Sequence, residues 1–368
     1  MPADIHYLDT LLGNMEKLGA SDLHLKAGAP PIFRVGGTPQ RIKADALAPD
    51  DIRSMVWPVL NERSRKLFEE LGAADFAYSL PAGTRFRISF FRQRGLPGLA
   101  ARLVNSVVPT IQELRLPESV AKITEFNDGI VLVVGATGSG KSSTLAALID
   151  AINHKDRVHI LTIEDPIEYV YQDDKAFVNQ REIGLDVPDF HIALRQTVRE
   201  DPDVILLGEM RDRETIEAAL TSAETGHLVL GTMHSTNAVQ TIARILDFFE
   251  PSHQPGVRSV LSYVYRAAIA QRLIPSCRPK EAARVPAVEV MYVNSVIRKH
   301  IAEGEEIKIG QRIREGARDG MQDFNMAFYK LVKSGWITEE TALEHSSQPE
   351  QLAMQLKGMV LNQDSQTI

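Results

Sequence analysis

The sequence predicts an α/β chain in which an α+β domain precedes a phosphate-binding domain built on a parallel sheet. Three observations carry this. The apolar run Ile130-Val-Leu-Val-Val134 feeds Gly135-Ala-Thr-Gly-Ser-Gly140-Lys141-Ser142 and then Ser143-Thr-Leu-Ala-Ala-Leu-Ile-Asp150, the strand, glycine loop and helix of a P-loop. Beyond it strand-like and helical stretches alternate, as a parallel sheet covered on both faces requires. Before about residue 105 the pattern is instead one of helices and short alternating strands.

At 368 residues the chain has room for two domains, and 44% hydrophobic with 24% charged residues fits a globular protein. No apolar run approaches the roughly 18 residues that cross a bilayer. Met-Pro-Ala-Asp-Ile-His lacks a basic segment ahead of an apolar one, so no secretory signal is expected and the chain is expected to stay in the cytoplasm. The single Cys277 rules out an internal disulfide or a cysteine-rich zinc site. A net charge of −7 argues against bulk attraction to nucleic acid.

Domain one spans 1–105. Ile5, Leu8, Leu11, Leu12, Met15 and Leu18 have helical spacing over 4–18. Strands are expected at 22–25 and 32–35, with Gly36-Gly37 as a hairpin turn, then a helix at 61–71 and strands at 74–80, 85–91 and 99–104. Arg85, Arg87, Arg92, Arg94 and Arg102 fall within the last two of these strands and their turn, with no acid among them. They predict either one positive face for a phosphate or acidic partner, or a solvated strand surface. Residues 106–118, carrying Pro109 and Pro117, read as a linker.

The second domain spans 119–358, and the polar residues 359–368 read as a disordered tail. A hydrophobic helix at 120–126 leads to the P-loop strand. Strands follow at 159–164, 204–209 and 227–234, with helices near 190–199, 213–223 and 238–248. Past Pro251 helices fit 256–271, 295–303, 323–334 and 338–346, around one strand at 285–293. There is no internal repeat.

The loop Gly135, Thr137, Gly138, Ser139 and Gly140, with Lys141, Ser142 and Ser143, is the predicted polyphosphate cradle. Its backbone N–H groups and the positive end of the following helix face the anion. Lys141 would reach the β- and γ-phosphates of a nucleotide, and the Ser142 hydroxyl would ligate Mg²⁺. Reactive groups in such folds sit at the carboxyl ends of neighbouring strands. Val204-Ile-Leu-Leu-Gly-Glu209 closes in an acid, with Gly208 where many such strands place Asp, so Glu209 is expected to organise Mg²⁺ through a water. Ile160-Leu-Thr-Ile-Glu164-Asp165-Pro166 ends a second strand. There Glu164 is expected to polarise the attacking water, while Asp165 fits a turn cap. His227 and His234 bracket a third strand, and His234, at its carboxyl end, is placed to donate to the γ-phosphate. The pair lacks further ligands for zinc.

Together these pieces resemble the secretion ATPase superfamily of type II secretion and type IV pili. In its terms 135–142 is the Walker A box, Thr162-Ile-Glu-Asp-Pro-Ile-Glu168 the aspartate box, 204–209 the Walker B box and 226–234 the histidine box. Ser21-Asp-Leu-His-Leu25 and Gly320-Met-Gln322 extend the likeness over nearly the whole chain, and the missing four-cysteine module points to the pilus retraction branch. The resemblance implies a PAS-like N-terminal domain, a RecA-like ATPase domain, and a homohexamer with ATP between the domains. It further implies action on an inner-membrane pilus platform protein from the cytoplasmic face, in company with a paralogous pilus ATPase. Arg87 and Arg102 match its phosphate-sensing arginines, with Arg92 a weaker match. One departure stands out: the branch's Ala-Ile-Arg-Asn-Leu-Ile-Arg-Glu helix is here Val296-Ile-Arg-Lys-His-Ile-Ala-Glu303, which leaves an auxiliary or related secretion-machine ATPase as an alternative. A nucleic-acid translocase is disfavoured by net acidity and the lack of a basic, aromatic strand-binding segment. A nucleotide-gated assembly partner with little turnover is disfavoured because every expected catalytic group is present.

Overall fold

A computed structural model describes residues 4–104, 107–197 and 199–358, so the tail expected at 359–368 lies outside the described residues. The chain divides into two compact units. The first holds Met1–Val107 with Pro166–Val170 and Glu182–Pro188, and the second holds Val108–Asp165, Tyr171–Arg181 and Asp189–Ile368.

In the first unit, α1 (Ile5–Leu18), β1 (Ala20–Lys26), β2 (Ile32–Val35), β3 (Thr38–Arg41), α2 (Pro49–Val56), α3 (Glu62–Leu71), β4 (Ala73–Ser79), β5 (Arg85–Gln93) and β6 (Leu96–Leu103) follow in order. The strands form an antiparallel sheet ordered β3-β2-β1-β6-β5-β4. Leu8, Leu11, Leu12 and Met15 of α1 form one core with Ile52, Met55 and Phe68 of the other helices and Phe33, Phe86, Ile88 and Phe90 of the sheet. The Asp4 side chain caps α1, and Gly19 ends it at φ 60°. Sequence periodicity missed α2, which has barely two turns and only three buried residues, Ile52, Met55 and Val56.

The second unit contains β7 (Gly129–Val134), α4 (Lys141–Lys155), β8 (His159–Glu164), β9 (Phe177–Glu182), α5 (Phe190–Thr197), β10 (Val204–Leu207), α6 (Arg213–Glu224), β11 (Leu228–Met233), α7 (Ala238–Leu246), α8 (Gln254–Val264), β12 (Tyr265–Pro275) and β13 (Arg284–Tyr292). Five further helices close it: α9 (Ser295–Glu303), α10 (Ile309–Glu315), α11 (Phe324–Lys333), α12 (Glu339–His345) and α13 (Pro349–Leu356). The sheet order is β13-β12-β7-β11-β10-β8-β9. From β12 through β8 all pairings are parallel, and β13 runs antiparallel to β12. Every residue of β7, β8, β10 and β11 is buried, so β7 and β10 read as almost unbroken apolar runs, while β8 also buries His159, Thr162 and Glu164. No helix among the described residues is long and apolar enough to cross a membrane.

Three local expectations are corrected. The helix expected over 256–271 stops at Val264, and the alanine-rich remainder is strand β12. Ala267, Ala268 and Ala270 have helix propensity, but they are wholly buried and hydrogen-bonded on both sides, and this pairing overrides it. The segment expected as a helix at 120–126 is 3₁₀. In the stretch read as a linker, Ile111 and Leu116 are buried in the second unit's core beside Val120 and Ile123, so that part is packed and not a free tether.

Glu289 of β13 is 7% exposed, and its Oε1 accepts from Ala238 N, the first residue of α7, at 2.7 Å. Burial pushes its carboxyl up from 4.5 to about 7, against the pull of the Ala238 N–H. The folded chain therefore keeps, between about pH 4.5 and 7, a proton that the unfolded chain releases, so the residue costs stability above pH 7 and the cost fades in acid. Glu289→Gln is expected to raise the melting temperature at pH 8, by the equivalent of about 3 kcal/mol at the upper end, and to give little gain at pH 4.5. Paired thermal melts across that range check it.

Candidate active site

The glycine loop lies between the end of β7 and the start of α4. Gly135 and Gly140 have φ of 151° and 91°. A Cβ on either would fall within 2.4–2.7 Å of Gln271, so only glycine fits. Asp212 and Asn237 cap α6 and α7 with their side chains, but α4 has no side-chain cap. At that helix end the dipole favours negative charge, as an anion-binding loop requires. Ser139 Oγ is buried with no partner among the described residues. Ala136, Thr137 and Gly138 are exposed at the rim, and Ser142 and Ser143 are half-buried at the first turn. Lys141 folds over the loop, donating from Nζ to the Gly135 and Ala136 carbonyls at 3.0 and 3.1 Å. An unmet hydroxyl, uncapped amides and an ammonium resting on loop carbonyls together fit a polyphosphate.

Glu209 stands two residues beyond the end of β10, in a segment laced to both neighbouring strands. Gly208 N donates to Ile163 O at 2.9 Å, Met210 N donates to Thr232 O at 3.0 Å, and Thr232 Oγ1 donates to Gly208 O at 2.5 Å. A Cβ at Gly208 would stand 3.4 Å from Glu164 Cα and Ile163 O, an ordinary contact, so the backbone packing alone does not demand glycine there. Glu209 Oε1 lies 2.7 Å from His234 Nε2, and Oε2 accepts from Arg211 at 2.6 Å. The Arg211 hydrogen bond, with His234 and Lys141 adding positive charge, holds the Glu209 carboxyl below the usual carboxylate range despite partial burial. A carboxylate kept ionised suits a cation held through water. Glu209, Arg211 and His234 line a cleft of about 240 Å³ with Arg244 and Phe248.

Glu164, at the end of β8, is buried, and its Oε1 accepts from Thr162 Oγ1 at 2.7 Å and Gln180 Nε2 at 3.1 Å. Asp165 beside it is exposed. His227 lies at the opposite end of β11, tied through Nδ1 to Ser222 O at 2.9 Å and Thr225 Oγ1 at 3.1 Å, a local structural role. Thus Lys141, Glu209 and His234 stand together, with Glu164 on the next strand end, and His227 does not join them.

The arginine cluster in the first unit divides. Arg87 and Arg102 are cross-strand partners, both exposed. Arg102 Nε donates to Asp22 Oδ1 at 2.8 Å, and Asp22 also lies 3.6 Å from Arg34. Burial raises the Asp22 carboxyl, but the Ser21 hydroxyl and Arg102 outweigh it and hold it low. Arg85 pairs with Glu182 at 2.9 Å. Arg92, at odd spacing from these, lies over the Phe68 ring at 4.9 Å on the helix side of the sheet. Of the five arginines, Arg85 and Arg102 are each paired with an acid, Arg92 is turned to the helix side, and Arg94 lies in the turn between β5 and β6, so they do not form one positive face, and Arg87 stands exposed beside Arg102.

Residues 111–321 match the family described as Type II/IV secretion system protein. The Type IV pilus retractation ATPase PilT of Pseudomonas aeruginosa is 44% identical over 340 residues, covering 92% of this chain and 98% of that protein. The chain belongs to the type II/IV secretion ATPase family. The Type IV pilus ATPase PilU of the same organism is 40% identical, with 95% of this chain and 91% of that protein covered. A crystal structure of the pilus retraction motor PilT with bound ADP superposes with a TM-score of 0.87 at 43% identity, covering 94% of this chain and 98% of that one. The Legionella pneumophila ATPase DotB superposes at 0.81 with 27% identity, covering 92% of this chain and 94% of that one. As a secretion ATPase family member the chain uses a nucleotide, and the loop described above has the shape for it.

Sequence reasoning missed Arg211, Thr162, Gln180, Asp22 and Gln271. Arg211 was legible in Glu209-Met-Arg211, whereas Gln271 lay in a stretch assigned to a helix. Arg211→Ala removes the strongest influence holding the Glu209 carboxyl low. Because the ionised form is present above its pKa and lost below it, the acid limb of the nucleotide-hydrolysis profile is expected to move to higher pH, with little change in the plateau rate. A pH–rate series on wild type and variant checks the direction.

Proposed function

We propose that this chain is the ATP-hydrolysing motor that powers retraction of a type IV pilus. The observation that carries it is the joining of a complete nucleotide loop to Glu209, His234 and Glu164 within a chain that matches a pilus retraction ATPase over nearly its full length. The phosphates of ATP settle on the uncapped amides of α4, and Lys141 exchanges the Gly135 and Ala136 carbonyls for the β- and γ-phosphates. Mg²⁺ fits Ser142 and, through a water, the ionised Glu209, where it would supply charge neutralisation between phosphates. Glu164 accepts a proton from the water that attacks the γ-phosphorus in line, and the bond to the bridging oxygen breaks, releasing ADP. His234 donates to the γ-phosphate and, through its ion pair, links loss of that phosphate to Glu209. Arg87 and Arg102 are the phosphate-sensing arginines, and Asp22 holds the second of them in place.

In this reading residues 1–105 and 119–358 work as the two domains of a subunit within a homohexamer. The ring acts at the cytoplasmic face of the inner membrane on a pilus platform protein, reaching the membrane through that partner alone, and it takes no nucleic acid. A second reading, an auxiliary pilus ATPase beside a main motor, is favoured by α9. That helix exposes Arg298, Lys299 and Ala302, so the arginine replaced by Ala302 would have been on its surface.

Two measurements test the proposal. Glu209→Ala is expected to lower phosphate release by about 10²-fold or more with the fold retained, and turnover equal to wild type would sink the catalytic reading. Fluorescent tracking of pili in the source organism, with the gene deleted and then restored as wild type or Lys141→Ala, decides the cellular role. Pili that extend but retract only with the wild-type copy support the motor, and normal retraction without the gene supports the auxiliary reading.

A further inference from the structure

Beneath the P-loop lies a side chain to which neither the family motifs nor the mechanism above assigns a task. Gln271 is on β12, the strand paired in parallel with the loop strand β7, one residue past the Ala270–Val134 pair. It is 4% exposed. Its Oε1 accepts from Thr144 Oγ1 at 2.7 Å, and Thr144, in the first turn of α4, is wholly buried. Its Nε2 lies only 2.7 Å from where a Cβ on Gly140 would stand, and its carbonyl oxygen only 2.4 Å from the equivalent point at Gly135. One residue thus touches the loop at both ends and bonds to the helix that the loop enters.

From this geometry we infer that Gln271 is a positioning residue for phosphate binding, setting the distance between the two ends of the loop and the first turn of α4. The inference rests on the ATPase reading and deepens it. A cradle of backbone N–H groups binds an anion only while the groups converge, and small misplacements of a binding group lower affinity steeply. A chain of peptide units has no stiffness of its own to keep that shape. Here the stiffness comes from a sheet strand, through a buried amide whose partner is a buried hydroxyl. Gln271 does not reach the reacting atoms, so its effect falls on nucleotide affinity and KM more than on kcat.

The test uses the full-length protein, the fluorescent nucleotide mant-ADP for affinity, and steady-state ATP hydrolysis for the KM and kcat split, with thermal melts to confirm folding. Gln271→Leu and Thr144→Val, which keep shape and remove one partner each, are each expected to weaken mant-ADP binding and raise KM by about ten-fold or more, with kcat changed less than about three-fold. Because the two act through one hydrogen bond, the double variant is expected to match the worse single and not the product of the two. Thr144→Ser, which keeps the hydroxyl, is expected to restore affinity. Unchanged affinity in folded single variants, additive losses in the double, or Thr144→Ser behaving as Thr144→Val would each overturn the inference. Lys141→Ala separates the two failures. If wild type does not hydrolyse ATP, or Lys141→Ala hydrolyses it as fast as wild type, the reading of this loop as the ATPase site falls, and if Lys141→Ala is inactive while Gln271→Leu binds as wild type, only the role of Gln271 does.

Discussion

The parallel register of four strands is the constraint on which the candidate site depends. Leu132, Gly231, Leu207 and Ile163 form one row across β7, β11, β10 and β8. Gly135 comes three residues past this row, His234 three, Glu209 two and Glu164 one. At about 3.3 Å per residue, all four lie within roughly 10 Å of a common edge. In an antiparallel sheet alternate strand ends would point away, and these groups would be split between opposite edges. The parallel pairing therefore has a chemical consequence, because its register gathers the loop, the acids and the imidazole at one edge.

Within that edge, Glu209 owes its state to its neighbours. The backbone around it is held by Ile163 on one side and Thr232 on the other, so the side chain is aimed by main-chain bonds before any ligand arrives. Arg211 and His234 then take one carboxylate oxygen each. An acid at Gly208 would put a further negative charge beside the Glu164 backbone. The glycine leaves the two glutamates as strand-end acids with distinct surroundings: one half-open beside Arg211 and His234, the other buried beside Thr162 and Gln180. Carboxylates placed in such different settings are the usual means by which one fold divides anion and base duties.

How far the sequence disclosed this follows from which constraints are local. The P-loop was legible because strand, loop and helix are contiguous, and its glycines answer to local demands, close contacts at Gly135 and Gly140 and a left-handed φ of 75° at Gly138. The acids and His234 were legible because each directly follows an apolar run. Partnership across the chain was not. Asp22 holds Arg102 from 80 residues away, and Glu182 neutralises Arg85 from 97. Arg92, by contrast, was separable in principle, since its odd spacing from Arg85 and Arg87 puts it on the other face of β5.

β12 shows why one misread strand hides a functional residue. Its alanines favour helix when read alone, and the strand exists because β7 and β13 bind it from both sides. On a helix Gln271 and Arg272 would point about 100° apart, whereas on a strand they point to opposite faces. Gln271 accordingly meets Thr144 of α4, while Arg272 lies over Phe324 of α11 at 4.1 Å and donates to His345 O at 3.2 Å. The strand that props the nucleotide loop on one face thus anchors the helical C-terminal region on the other.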